Sequence, residues 1–211
     1  TEPRTAPEVL QQLHDSLQAL RTDYIDLYQY HSWGNAQFIN EEVRRVLEGA
    51  VKSGKVRHLA ASISPNTNMV PVEMAEPFHL ESIQVVYNRL DRAAEAAVLP
   101  ACKAKNLGVL ARVPLASGLL TGKYHPGDPL PFTAQDVRSL TKPEDLTLRL
   151  REVEQIARTE VPPNTPGGMA AWALAWCLNN PVGGTAVHAV IPGAKNVTQV
   201  KANAAAADLV V

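Results

Sequence analysis

Apolar residues fall along this chain in two alternating rhythms, short continuous runs and longer stretches with a period of three to four. Val9, Leu10, Leu13, Leu17 and Leu20 share one face of a predicted helix. It opens at Thr5-Ala6-Pro7-Glu8, a capping-box pattern in which hydroxyl and carboxylate satisfy orphan N–H groups. The helix feeds the run Tyr24–His31, which reads as a buried strand ending on an imidazole. Val43, Val46, Leu47, Ala50 and Val51 then mark a helix over 40–53, stopped by Gly54, and residues 56–62 form a short apolar strand. Pro65, Pro71 and Pro77 interrupt the next stretch, with a short helix around 72–75. Residues 82–87 read as a β-branched strand, 92–105 as an Ala-rich helix and 107–113 as another strand. Residues 125–142, rich in Pro, Gly and polar side chains, have the character of a lid loop. Helices follow over 143–159 and 165–178, the second with Thr165 as N-cap and Pro166 at its first position. The last strand is 187–191 and the last helix 196–208.

Strand and helix alternate, and the strands are apolar throughout, as in parallel strands buried on both faces. Five such strands fit two architectures. A closed (β/α)8 barrel needs eight strands and ~250 residues, so on that reading three strand–helix units are absent from the front. An open, doubly wound five-stranded sheet is complete as it stands, although no Gly-x-Gly-x-x-Gly follows the first strands. The chain begins with Thr1 rather than Met, and its first element reads like the middle of a protein. The expectation is a missing N-terminal segment, a companion fragment or an oligomer partner, because two open sheet edges otherwise invite aggregation.

Composition narrows the function classes. With 211 residues, 45% hydrophobic and 19% charged, the chain has material for one domain over 1–211. A net charge of −1 lacks the basic footprint of a nucleic-acid binder. No run approaches the ~18 apolar residues of a membrane helix, and no export signal is recognisable at the start. Cys102 and Cys177 lie far apart in helical segments, which suits neither a disulfide framework nor a zinc site and fits a reducing cytoplasm.

Motifs separate the two architectures. The run Ser16–His31 closely resembles the segment SLxxLxxDYIDLYxxH of the aldo-keto reductase family. In the same order, Ser53–Arg57 is similar to the approach to that family's fifth strand and Gln84–Asn88 to its sixth. Ala111–Tyr124 is similar to its seventh strand and cofactor loop, and Ile191–Gln199 with Asn203 to its eighth strand and adenosine-binding helix. The resemblance implies an α/β fold, an incomplete (β/α)8 TIM barrel of aldo-keto reductase type with about five of eight units. It also implies reduction of aldehydes or ketones with NADP(H), bound without a Rossmann motif. Of the family's Asp, Tyr, Lys and His tetrad only His31 is matched, and no residue here takes the place of the tyrosine.

Each matched position has its own chemistry. A carbonyl receiving hydride develops alkoxide charge, so a donor aimed at that oxygen lowers the barrier by about 3 kcal/mol. His31 would supply such a hydrogen bond; alternatively it closes a buried strand on a backbone carbonyl. The resemblance assigns Ser62 and Gln84 to the nicotinamide carboxamide, although Ile63 stands where many members have Asn. Arg112 falls where an aromatic ring often stacks on nicotinamide; its planar guanidinium can stack too, with its charge favouring the reduced cofactor. Leu115, Ser117, Gly118 and Leu120 would approach the pyrophosphate through backbone N–H groups, Gly removing the steric obstacle. Asn196 and Gln199 form a capping pair that opens a helix behind Lys195, so N–H groups, dipole and ammonium converge where a 2′-phosphate fits. Asn203 matches the adenine contact, and Gln199 replaces a frequent Arg. Trp33 is a candidate for the substrate pocket, while Trp172 and Trp176 read as core. The remaining histidines show no metal-pair spacing. A carbonyl reductase is thus one reading, and a non-catalytic NADP(H)-binding sensor or accessory subunit the other.

Overall fold

The computed structural model describes residues 4–31, 34–129, 132, 135–179 and 187–211. Helix α1 (Ala6–Leu20) is bracketed at its start by Glu8, whose carboxylate accepts from the backbone N–H of Thr5 at 2.7 Å and from its hydroxyl at 2.9 Å. It buries Val9, Leu13 and Leu17, whereas Leu10 and Leu20 face solvent. Five strands follow in the expected places: β1 (Ile25–His31), β2 (Val56–Ser62), β3 (Leu80–Val86), β4 (Gly108–Arg112) and β5 (Ala189–Ile191). Between β1 and β2 lie α2 (Asn35–Phe38) and α3 (Glu41–Lys52). Asn40 caps α3 by accepting from Glu42 and Val43 N–H, and Gly54 ends it in the left-handed region. Helices α4 (Val70–Glu73), α5 (Val98–Ala104), α6 (Pro143–Thr159), α7 (Gly168–Asn179) and α8 (Val197–Ala205) complete the list among the described residues.

The strands are hydrogen-bonded in the order β1-β2-β3-β4-β5, and the registers of β1 on β2 and of β2 on β3 are parallel. Chain order without reversal is the topology of a (β/α)8 barrel; a doubly wound sheet reverses direction at a switch point. The fold is therefore α/β, and the described residues supply five of the eight strand–helix units of such a barrel. Contacts gather in two compact units, Thr1–Val85 with Ala96–Leu110, and Val86–Glu95 with Ala111–Val211. The first is cored by Val43, Leu47, Leu59, Ile83 and a cluster in which Phe38 stacks on Phe78 at 4.8 Å and Tyr30 meets Phe38 edge-on at 5.1 Å. The second is cored by Leu119, Leu120, Leu146, Leu150, Val153, Ile156 and Trp172.

Four departures from the sequence expectation have physical causes. β1 buries only Tyr30 fully, because as the first strand in the order it has a neighbour along one edge among the described residues. The expected helix over 92–105 is a 3-10 turn (Ala93–Ala96) and then α5, since the Pro100 ring would collide with the carbonyl four residues earlier in a continuous helix. Helix α7 starts at Gly168 instead of after Thr165: the Thr165 hydroxyl donates backward to the Pro162 carbonyl at 2.8 Å, and Gly167 and Gly168 are left-handed. β4 stops at Arg112 because Val113 turns to φ 56°.

Candidate functional site

Within the first unit, parallel pairing places His31 opposite Ser62 and Ser62 opposite Gln84. Residues in register share a face, so Gln29, His31, Ala60, Ser62, Ser82 and Gln84 lie on one side, while the alternating Tyr30, Ala61 and Ile83 are buried on the other. The three predicted polar side chains thus form one row across three adjacent strands, His31 and Ser62 at the last positions of β1 and β2 and Gln84 two residues before the end of β3, towards the C-terminal ends where barrel enzymes build their sites. His31 is exposed, Ser62 is buried and Gln84 is half-buried, its amide nitrogen donating to Gln29 Oε1 at 2.9 Å. Ile63 is 1% exposed, so the position that often holds an amide contributes here to the core. Trp33 lies outside the described residues.

Within the second unit, the chain beyond Arg112 makes a tight turn. Val113, Ala116 and Ser117 have φ values of 56°, 48° and 55°, and Gly118 reaches 92°. Left-handed backbone costs non-glycine residues on the order of 1–2 kcal/mol each and gathers at functional sites. The Gly118 and Leu120 N–H groups both point at the Leu115 carbonyl, at 2.8 and 3.2 Å, so both are engaged within the turn, whose exposed residue is Ser117. Leu120 itself is fully buried. Arg112 is half-buried, and burial lowers the pKa of its guanidinium.

Arg138, a residue that the sequence reading missed, closes over this turn. Its Nη1 donates to the Ser117 carbonyl at 3.3 Å and to the Tyr124 hydroxyl at 3.0 Å, and its guanidinium lies 3.8 Å over the Phe132 ring. Asp136 holds the other edge, with Nε–Oδ1 at 2.9 Å and Nη2–Oδ2 at 2.6 Å. Hydrogen bonds from the Arg138 side chain and backbone, with smaller contributions from the charges of Arg138 and Lys195, pull the Asp136 carboxyl down to about 2. Lys195 precedes α8, where Asn196 Oδ1 accepts from Gln199 N–H at 2.9 Å and Gln199 Oε1 accepts from Lys195 N–H at 2.6 Å. The capping pair therefore forms, and Asn203 Nδ2 donates to the Gly193 carbonyl at 3.3 Å.

Two more residues escaped the sequence reading. Asn88 is wholly buried with every polar atom engaged, and Gln29 joins Gln84. Neither belongs to a motif with metal or nucleophile chemistry, and only three-dimensional neighbours reveal their roles. No cluster of His, Cys, Asp or Glu suited to a metal occurs among the described residues. Among those residues no helix is long and apolar enough to cross a membrane. A surface groove lined by Leu10, Arg45, Val46 and Lys55 lies near the start of β2, the opposite end of the strands from His31.

The aldo/keto reductase family model matches residues 2–211, and the chain belongs to that family. It is similar to the oxidoreductase YrpG of Bacillus subtilis, 33% identical over 92% of this chain and 57% of that protein. L-glyceraldehyde 3-phosphate reductase of Escherichia coli is 30% identical over the same shares. Among solved structures, aldo-keto reductase AKR11C1 from Bacillus halodurans in its holo form superposes with a TM-score of 0.73 at 28% identity, covering 100% of this chain and 64% of that one. The chain spans between about half and two thirds of the length of the proteins it matches.

Proposed function

We propose that this chain, as one barrel portion over 1–211, serves the reduction of aldehydes or ketones to alcohols with NADPH. The observation that carries the reading is the row His31, Ser62 and Gln84 in register across three adjacent parallel strands, near their C-terminal ends. NADPH, when bound, supplies the hydride. Ser62 and Gln84 hold its carboxamide and so fix which ring face meets the substrate. The exposed His31 imidazole donates to the substrate carbonyl oxygen, where negative charge develops as the carbon is reduced. The proton that completes the alcohol would come from the family's tyrosine, which no residue of this chain matches, so the full reaction needs protein that carries it.

The second unit carries the phosphate chemistry. Ser117 and Gly118 offer a turn without bulky side chains, and Arg112 a planar cation for stacking. Lys195 and the α8 N-terminus capped by Asn196 and Gln199 supply positive potential that favours a 2′-phosphate, hence NADP(H) over NAD(H). Asn203 takes the adenine. A cytoplasmic location and a small carbonyl substrate go with this reading.

NADPH oxidation followed at 340 nm with a panel of aldehydes and ketones tests it. Turnover that falls at least 100-fold in His31→Gln with NADPH affinity kept supports the reductase. Saturable NADPH binding without turnover of any carbonyl, in protein that also carries the family's tyrosine, supports the non-catalytic module instead, and absence of binding overturns both.

A further inference from the structure

Gln29 sits two residues before His31 on the same face of β1, and the residue opposite it on β2 is Ala60, whose side chain is a single methyl. That small side chain lets two long amides from β1 and β3 meet across β2: Gln84 Nε2 donates to Gln29 Oε1 at 2.9 Å. Among the described residues no donor reaches Gln84 Oε1.

An unrestrained glutamine amide can turn over about its last torsion, because that rotor is broad and roughly two-fold. A carboxamide ligand tells the two ends of that amide apart, since oxygen only accepts and nitrogen only donates. We propose that Gln29 is a positioning residue for cofactor recognition: by accepting from Gln84 nitrogen, it leaves the Gln84 oxygen as the acceptor for the carboxamide N–H of the nicotinamide ring. The inference rests on the reading of Gln84 as the carboxamide anchor and adds what selects the amide over a plain carbonyl. A ring bearing a 3-acetyl group lacks the N–H and leaves Gln84 oxygen unpaired, which disfavours the analogue.

The test is equilibrium binding by calorimetry to the full chain, with NADP+, its 3-acetylpyridine analogue and adenosine 2′,5′-bisphosphate, which lacks the nicotinamide. The parent chain should prefer NADP+ over the analogue about tenfold, equivalent to about 1.4 kcal/mol. Gln29→Met, similar in length but without the amide acceptor, should reduce that preference to within about twofold and leave the bisphosphate affinity unchanged. Gln29→Glu keeps an acceptor for Gln84 nitrogen and should keep the preference. Undiminished discrimination in Gln29→Met overturns the proposal, as does an equal loss of affinity for all three ligands, which marks a merely structural role. Failure of the parent chain to bind NADP+ at all strikes instead at the functional reading, and the proposal falls with it.

Discussion

The side-chain nitrogen of Asn88 donates to the carbonyl of Val113 at 3.0 Å, so a buried amide in the turn after β3 clamps the residue at which β4 becomes left-handed. A β-branched residue at φ 56° is a strained conformer that the surroundings must impose. Asn88 is itself held: its oxygen accepts from Leu90 N–H at 2.9 Å and from Asp91 N–H at 3.0 Å, and its nitrogen also donates to Asp91 Oδ2 at 3.1 Å. Asp91 in turn is paired with Arg149 of α6. The presentation of Ser117 and Gly118 thus depends on a chain of polar contacts anchored in a long helix.

Asn88→Ala removes the donor to Val113 and the acceptor for two N–H groups at a wholly buried position. The expected cost is about 2–4 kcal/mol of stability, read as a lower urea midpoint. Amide exchange should also quicken at residues 115–120 more than in α1.

Arg138→Met should separate binding from stability. Its ion pair with Asp136 is only partly shielded from water, so the change should move the urea midpoint far less than Asn88→Ala does. Affinity for NADPH should fall about tenfold, because the brace on the Ser117 carbonyl is lost and the Asp136 carboxylate is left as an uncompensated negative charge beside the turn. An unchanged dissociation constant would remove Arg138 from the cofactor account.

Burial pushes the Cys102 thiol up to about 11 and the Cys177 thiol up to about 12, so both stay protonated in the folded chain well above neutrality. Iodoacetamide at pH 8 should leave both unmodified until denaturant is added, as mass spectrometry will show. Because an unfolded thiol ionises near 9.0, the unfolded chain binds fewer protons above that value. Stability should therefore decline as pH rises from about 9 towards 11 and 12, with no contribution from these groups below 9.

Gly167→Ala should destabilise the start of α7. A Cβ at that position would lie 2.8 Å from the Ala171 Cβ, and the backbone has φ +75°. Steric overlap and left-handed strain together predict a loss of about 2–3 kcal/mol, measurable by thermal unfolding.

Much of this architecture was legible in the sequence because short apolar runs and capped amphipathic stretches act locally. β2 and α6 match their expected bounds, as does the Asn196 cap of α8. What escaped depended on neighbours distant in sequence. Pro100 breaks a helix that periodicity alone would continue. Thr165 has the identity of a cap, but its hydroxyl turns backward. Arg138, in a stretch read as a lid loop, is defined as a turn brace only by Ser117, 21 residues earlier. Gln29 gains its meaning from Gln84, 55 residues away. The family resemblance supplied His31, Ser62 and Gln84, and strand register brings them into one row.

The imidazole resonances of the six histidines offer the most direct test of where the nicotinamide end binds. Titration with NADP+, followed by proton NMR and assigned with His31→Gln, should shift the His31 ring signals progressively to saturation. His14, beside Lys55, and His58, beside Glu81, should stay unmoved. Saturable shifts at His14 or His58 with His31 unaffected would contradict the account.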